Sequence, residues 1–123
     1  MRFAICIPAR GQMEVQTAFD LAAMVGYMCK ATDHELDIYT ASGTLIFDQR
    51  NKLVHTAIDA KCDYIVFIDA DMRFPKDTIT RLLAHDKDII GVNATTRSEP
   101  VKPTAKNIQI EEDGSCSFIP IYS

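Results

Sequence analysis

No Cys-x-x-Cys pair occurs anywhere in this chain of 123 residues. Cys6, Cys29, Cys62 and Cys116 are scattered, and His34, His55 and His85 do not complete them at short spacing, which argues against a zinc site. The cysteines are read as buried or half-buried free thiols. No block of Lys and Arg offsets the acidic excess behind the net charge of −4, so no nucleic-acid surface is expected. No apolar run is longer than residues 64–68, whereas a bilayer span takes about 20 residues, so no transmembrane segment is expected. The apolar stretch at residues 3–7 is too short for a signal peptide, which makes a cytoplasmic location the expectation. Repeats, low-complexity tracts and linkers are also missing, so residues 1–123 are expected to form a single domain with an ordinary core.

What is present alternates between two periods. Residues 3–7 read as a strand stopped by Pro8 and followed by the turn Ala9-Arg10-Gly11. From 13 to 30, Val15, Ala18, Phe19, Ala22, Val25, Met28 and Cys29 recur at helical spacing. Leu36, Ile38 and Tyr39 mark a second strand ended by Ser42-Gly43. Residues 49–61 then read as a helix with Leu53, Val54, Ala57 and Ile58 inward. Residues 64–68 are β-branched and aromatic without alternation, which suits a strand covered on both faces. Pro75 is expected to open a helix through Ile79, Leu82 and Leu83, and residues 89–92 to form a fourth strand. The pattern predicts an α/β layered domain with a mainly parallel sheet. Residues 106–110 and 116–122 alternate around Asp113-Gly114, as in a C-terminal β-hairpin.

In an open parallel sheet, ligands bind beyond the carboxyl ends of the strands. Pro8-Ala9-Arg10, Asp69-Ala70-Asp71 and the loop 93–103 fall there. Asp69 and Asp71 carry the most chemistry. At i and i+2 they project to the same side if the extended conformation continues through Ala70. Carboxylates this close repel unless a cation lies beside them, and Mg²⁺ or Mn²⁺ is typically held by one or two carboxylates plus substrate phosphates. Ala70 leaves room for a ligand to approach the backbone. His55 and His85 fall on helices away from these strand ends.

The stretch from Arg50-Asn51-Lys52-Leu53 through Asp69-Ala70-Asp71-Met72 to Phe74-Pro75 resembles the large inverting family of glycosyltransferases with the A-type fold. It is most similar to short phage-type and bacterial members, and Ile5-Cys6-Ile7-Pro8 resembles that family's first strand. The resemblance implies the Rossmann-like donor-binding half of a nucleotide-diphospho-sugar transferase. It implies a nucleoside diphosphate sugar as substrate, Mn²⁺ or Mg²⁺ as cofactor, and inverting transfer to an unidentified hydroxyl acceptor. Asp71 would bind the metal, and Asp69 would support the metal shell or bond the ribose. Pro8, Ala9 and Arg10 would border the base, and Ala70 would admit the ligand. Arg50 would point from its helix toward the nucleotide, and Arg97 could meet a phosphate.

The chain departs from that family after residue 104, where no acceptor-binding half and no carboxylate base are recognisable. Glu111-Glu112-Asp113 lies at the hairpin turn, where solvated charge is ordinary. The expectation is a donor half, with a sheet edge that favours self-association into a homo-oligomer. Three other classes are open: a phosphoacceptor receiver domain, a phosphatase of the Asp-x-Asp nucleophile type, which would want its aspartates on the first strand, and a catalytically silent binding module of the same fold. The receiver chemistry needs an acidic pair after the first strand, where Pro8-Ala9-Arg10-Gly11 stands instead.

Overall fold

The computed structural model describes residues 1–43, 45–92, 106–110, 112, 114 and 116–120, the two segments 106–110 and 116–120 by their backbone. The loop 93–103 with Arg97, and also Glu111 and Asp113, lie outside the described residues. The chain divides into two compact units, Met1–His85 and Asp86–Ser123.

The first unit holds β1 (Arg2–Pro8), α1 (Val15–Ala31), β2 (Glu35–Ala41), α2 (Ile46–Asp59), β3 (Tyr64–Phe67) and α3 (Thr78–Ala84). Its sheet has the order β2-β1-β3, and both pairings are parallel. β1 is therefore central, and Phe3, Ala4, Ile5, Cys6 and Ile7 are each at most 1% exposed. Side-chain size along β1 follows the layers. Phe3, Ile5 and Ile7 pack with Met24 and Met28 of α1 and Ile79 of α3. The small residues Ala4 and Cys6 face the other way and meet Leu53 and Ala57 of α2. Large side chains on one face and small ones on the other place helices on both faces of the sheet, the α/β arrangement expected for a Rossmann-like layered fold.

Helix faces differ from the expected ones. The buried stripe of α1 is Thr17, Met24 and Met28, while Val15 and Phe19 are 67% and 70% exposed. A helix apolar on nearly every side has no periodicity to choose its inner face, so packing chooses it. On α2 the stripe is Gln49, Leu53 and Ala57, and Ile58 points to solvent. The expectation of only buried or half-buried thiols fails at Cys29, which is exposed for the same reason. Cys6 is buried, and burial pushes its thiol up to about 11.

Among the described residues β3 is an outer strand of the sheet, and Tyr64, Ile65 and Phe67 keep 37–41% exposure, where cover on both faces was expected. α3 starts at Thr78 rather than Pro75, because residues 76 and 77 form a turn first. Residues 89–92 are not a strand: no ladder partner is present for them among the described residues, and a β-branched run without one stays irregular. In the second unit, β4 (Lys106–Ile110) and β5 (Cys116–Pro120) pair antiparallel.

Candidate functional site

Two strand ends build the site. Ala9 N donates to Ala41 O at 3.2 Å, which ties the exit of β1 to the end of β2. Gly11, at φ +76°, then turns the chain in the left-handed region that glycine enters without strain. Next to this, Ile68 N donates to Cys6 O at 3.0 Å and extends the β3 ladder to the edge of the Asp-Ala-Asp segment. Strand order reverses at β1, whose helix leads to β2 on one side while β3 lies on the other, so the gap beyond β1 and β3 is a switch-point crevice.

Extended backbone does not continue through Ala70. Met72 N donates to Asp69 O at 3.2 Å, which closes a turn with Ala70 and Asp71 as its central residues. The same-side argument for alternating strand positions therefore does not apply. The turn itself brings both carboxylates to one cleft. That cleft, of about 290 Å³, is lined by Pro8, Ala9, Arg10, Ile46, Gln49, Asp69, Ala70 and Asp71. Six of these were expected from the sequence.

Arg50 reaches the site by way of Asp69, its Nη2 lying 3.4 Å from Asp69 Oδ1. Its guanidinium also stands over the Phe67 ring, 5.6 Å from the centroid. Arg97 cannot be placed with them, since it lies outside the described residues. His55 and His85 are exposed and are not among the cleft residues.

Gln49 and Ile46 were missed. Gln49 is 3% exposed and its Nε2 donates to Gly43 O at 2.6 Å. A polar residue four positions before Leu53 and eight before Ala57, on the buried stripe of α2, was the available signal. Asp20 and Arg73 were missed as well, and no local pattern joins residues so far apart. Asp20 accepts from Arg73 Nε at 2.7 Å and from Phe74 N at 3.2 Å. The Arg73 guanidinium and then the Phe74 amide hold the Asp20 carboxyl below its ordinary value, against the opposing effect of burial.

No group of three or more His, Cys, Asp or Glu side chains able to hold a metal is present among the described residues. The donor set at the turn is two carboxylates, with neither His nor Cys lining the cleft. That set suits a hard cation whose remaining ligands are substrate phosphates and water, and not zinc. Residues Asp69 and Asp71 therefore fit Mg²⁺ or Mn²⁺.

A parallel sheet with helices on both faces and a cleft lined by Arg10, Asp69 and Asp71 at its carboxyl edge defines an α/β protein with a candidate site for a small ligand. The family model Anp1 matches residues 26–110, a stretch that includes Arg50, Asp69 and Asp71. The chain belongs to the Anp1 family, a mannosyltransferase-related family of glycosyltransferases. No curated protein and no solved structure matches the chain. Membership supports the transferase expectation over the receiver one. No described helix is long and apolar enough to cross a membrane.

Proposed function

We propose that this chain binds a nucleoside diphosphate sugar in the β1–β3 cleft and transfers the sugar to a hydroxyl acceptor, with Mg²⁺ or Mn²⁺ held at the Asp69–Asp71 turn. The supporting observation is convergence: in a glycosyltransferase of the Anp1 family, Pro8-Ala9-Arg10 and Asp69-Ala70-Asp71 line one cleft. When bound, the cation supplies Lewis-acid stabilisation of charge on the leaving diphosphate. Asp71 seats it, and Asp69, shared with Arg50, supports the shell or bonds the ribose. Pro8 and Ala9 offer a compact wall for the base, and Arg10 brings positive charge to the cleft. The small side chain of Ala70 lets the diphosphate approach the backbone. The family's relation to mannosyltransferases makes mannosyl donors the first to test.

Calorimetry with nucleoside diphosphates, in Mn²⁺ and in chelator, tests this reading. Wild-type protein should bind at least about tenfold more tightly with Mn²⁺, in line with a partner group whose loss costs tens-fold in metal sites. Asp71→Ala should erase that difference, and Asp69→Ala should weaken binding. Equal affinity in Mn²⁺ and chelator for every nucleotide sinks the metal role. Inverting transfer, which the resemblance implies, needs a base facing the acceptor. Among the described residues the carboxylates lining the cleft are Asp69 and Asp71 alone. The anomeric configuration of the product, read by NMR, separates inversion from retention.

A further inference from the structure

The start of α1 holds the segment that carries the two carboxylates. Glu14 N, at the N-cap of α1, donates to Ala70 O at 2.9 Å in the middle of the turn. One and a half helical turns later, Asp20 takes hold of the chain just after it. Asp20 Oδ2 accepts from Arg73 Nε at 2.7 Å and from Phe74 N at 3.2 Å, and Oδ1 accepts from Arg73 Nη2 at 3.4 Å. Arg73 Nη1 also donates to Gln16 Oε1. Before the turn, Ile68 is held by Cys6.

These contacts leave little backbone unpinned. Residues 68, 70 and 74 are fixed through their backbone to β1, to the N-cap of α1 and to Asp20, Arg73 is tethered through its side chain, and Met72 N closes on Asp69 O. Asp71 lies between the pin at Ala70 and the pin at Arg73-Phe74. Asp20 differs from an ordinary surface ion-pair partner, which contributes little. Its side chain is only 17% exposed, against 61% for Arg73, and one of its bonds is to a backbone amide that side-chain entropy does not loosen.

We propose that Asp20 is a positioning residue for the Asp69–Asp71 turn, setting where Asp71 presents its carboxylate through Arg73 and Phe74 without touching the ligand. The proposal rests on the reading of that turn as the metal and diphosphate seat. It has a specific signature. Release of residues 73–74 should disturb the Asp71 side of the turn and spare Pro8, Ala9 and Arg10, so the metal-linked part of nucleotide binding is lost and the metal-independent part is kept.

The experiment compares wild type, Asp20→Ala, Asp20→Asn and Arg73→Gln by calorimetry with UDP and GDP, in MnCl₂ and in chelator, with thermal melts and amide hydrogen exchange at Ala70, Asp71 and Met72. Asp20→Ala should weaken binding in Mn²⁺ roughly 10- to 100-fold, the range for groups that orient metal ligands, with affinity in chelator unchanged. Asp20→Asn, which keeps an acceptor for Phe74 N, should fall between wild type and Asp20→Ala. Exchange at the three amides should accelerate in Asp20→Ala and Arg73→Gln while the rest of the first unit stays protected. Unchanged exchange with unchanged Mn²⁺ dependence overturns the proposal, and so does an equal loss in Mn²⁺ and chelator. If Asp20→Ala does not fold, Arg73→Gln, altered on the exposed side of the pair, carries the same comparison. Wild type with no metal-dependent binding refutes the proposed function instead, and the amide exchange then decides the clamp alone.

Discussion

Arg50 occupies the second turn of α2, with its guanidinium shared between Asp69 and the Phe67 ring. Arg50 and Asp69 side chains are 46% and 49% exposed, so water screens the pair and its contribution to folding is at most about 1 kcal/mol. Under the proposed function the role of Arg50 is to hold positive charge beside Asp69. Arg50→Gln should shift the urea midpoint only slightly, by less than about 1 kcal/mol in stability, yet lower nucleoside diphosphate affinity measured by calorimetry. Unchanged affinity would reduce Arg50 to an ion-pair partner of Asp69.

At the scale of elements, the end of α2 and the face of α1 make opposite predictions about substitution. α2 closes in a Schellman arrangement: Cys62 N donates to Ala57 O at 3.1 Å and Lys61 N to Ile58 O at 2.9 Å. Lys61 sits at φ +57°, where a side chain costs about 1–2 kcal/mol. Lys61→Gly removes that strain but loosens the unfolded chain by about 0.4–1 kcal/mol. The net expectation is a gain of between about 0 and about 1.6 kcal/mol in chemical denaturation. On α1, Met24 is fully buried and Phe19 is exposed. Met24→Ala should cost about 2–5 kcal/mol, while Phe19→Ser should stay within about 0.5 kcal/mol. A large loss at Phe19 would mean that the outer face of α1 is part of the core.

For the response of the whole molecule to acid, two carboxylates among the described residues, Asp20 and Asp37, are held in ion pairs. Asp20 is paired with Arg73, and Asp37 accepts from Arg2 Nε at 2.7 Å and from Tyr39 Oη at 3.2 Å. The Arg2 guanidinium holds the Asp37 carboxyl below its ordinary value, as Arg73 does for Asp20. Depressed folded-state values mean that these groups stabilise the fold fully above the unfolded carboxylate range of about 4. That contribution is lost as pH falls through the lower folded values. The urea midpoint should therefore drop between neutral pH and about pH 3. The double variant Asp20→Asn with Asp37→Asn should start lower at neutral pH and show a shallower drop. An identical pH slope in both proteins would place the acid sensitivity elsewhere.

Alternating periods in the chain were enough to determine β1, α1, β2, α2 and β3 in order, because each apolar run is bounded by a strong local stop such as Pro8 or Gly43. Local chemistry also marked Pro8-Ala9-Arg10 and Asp69-Ala70-Asp71, since strand ends in a parallel sheet are readable from order alone. The inner face of α1 was not legible, because an almost uniformly apolar helix presents several equivalent faces. Nor was the absence of a strand at residues 89–92, since pairing needs a partner that a local run does not reveal. Gln49 became a cleft residue only when the β2–α2 loop brought the Gly43 carbonyl to it. Asp20 and Arg73 lie 53 positions apart, and only the packing of α1 against the turn joins them. Tertiary structure decided these points, because they depend on distances between elements that neighbouring residues along the chain do not encode.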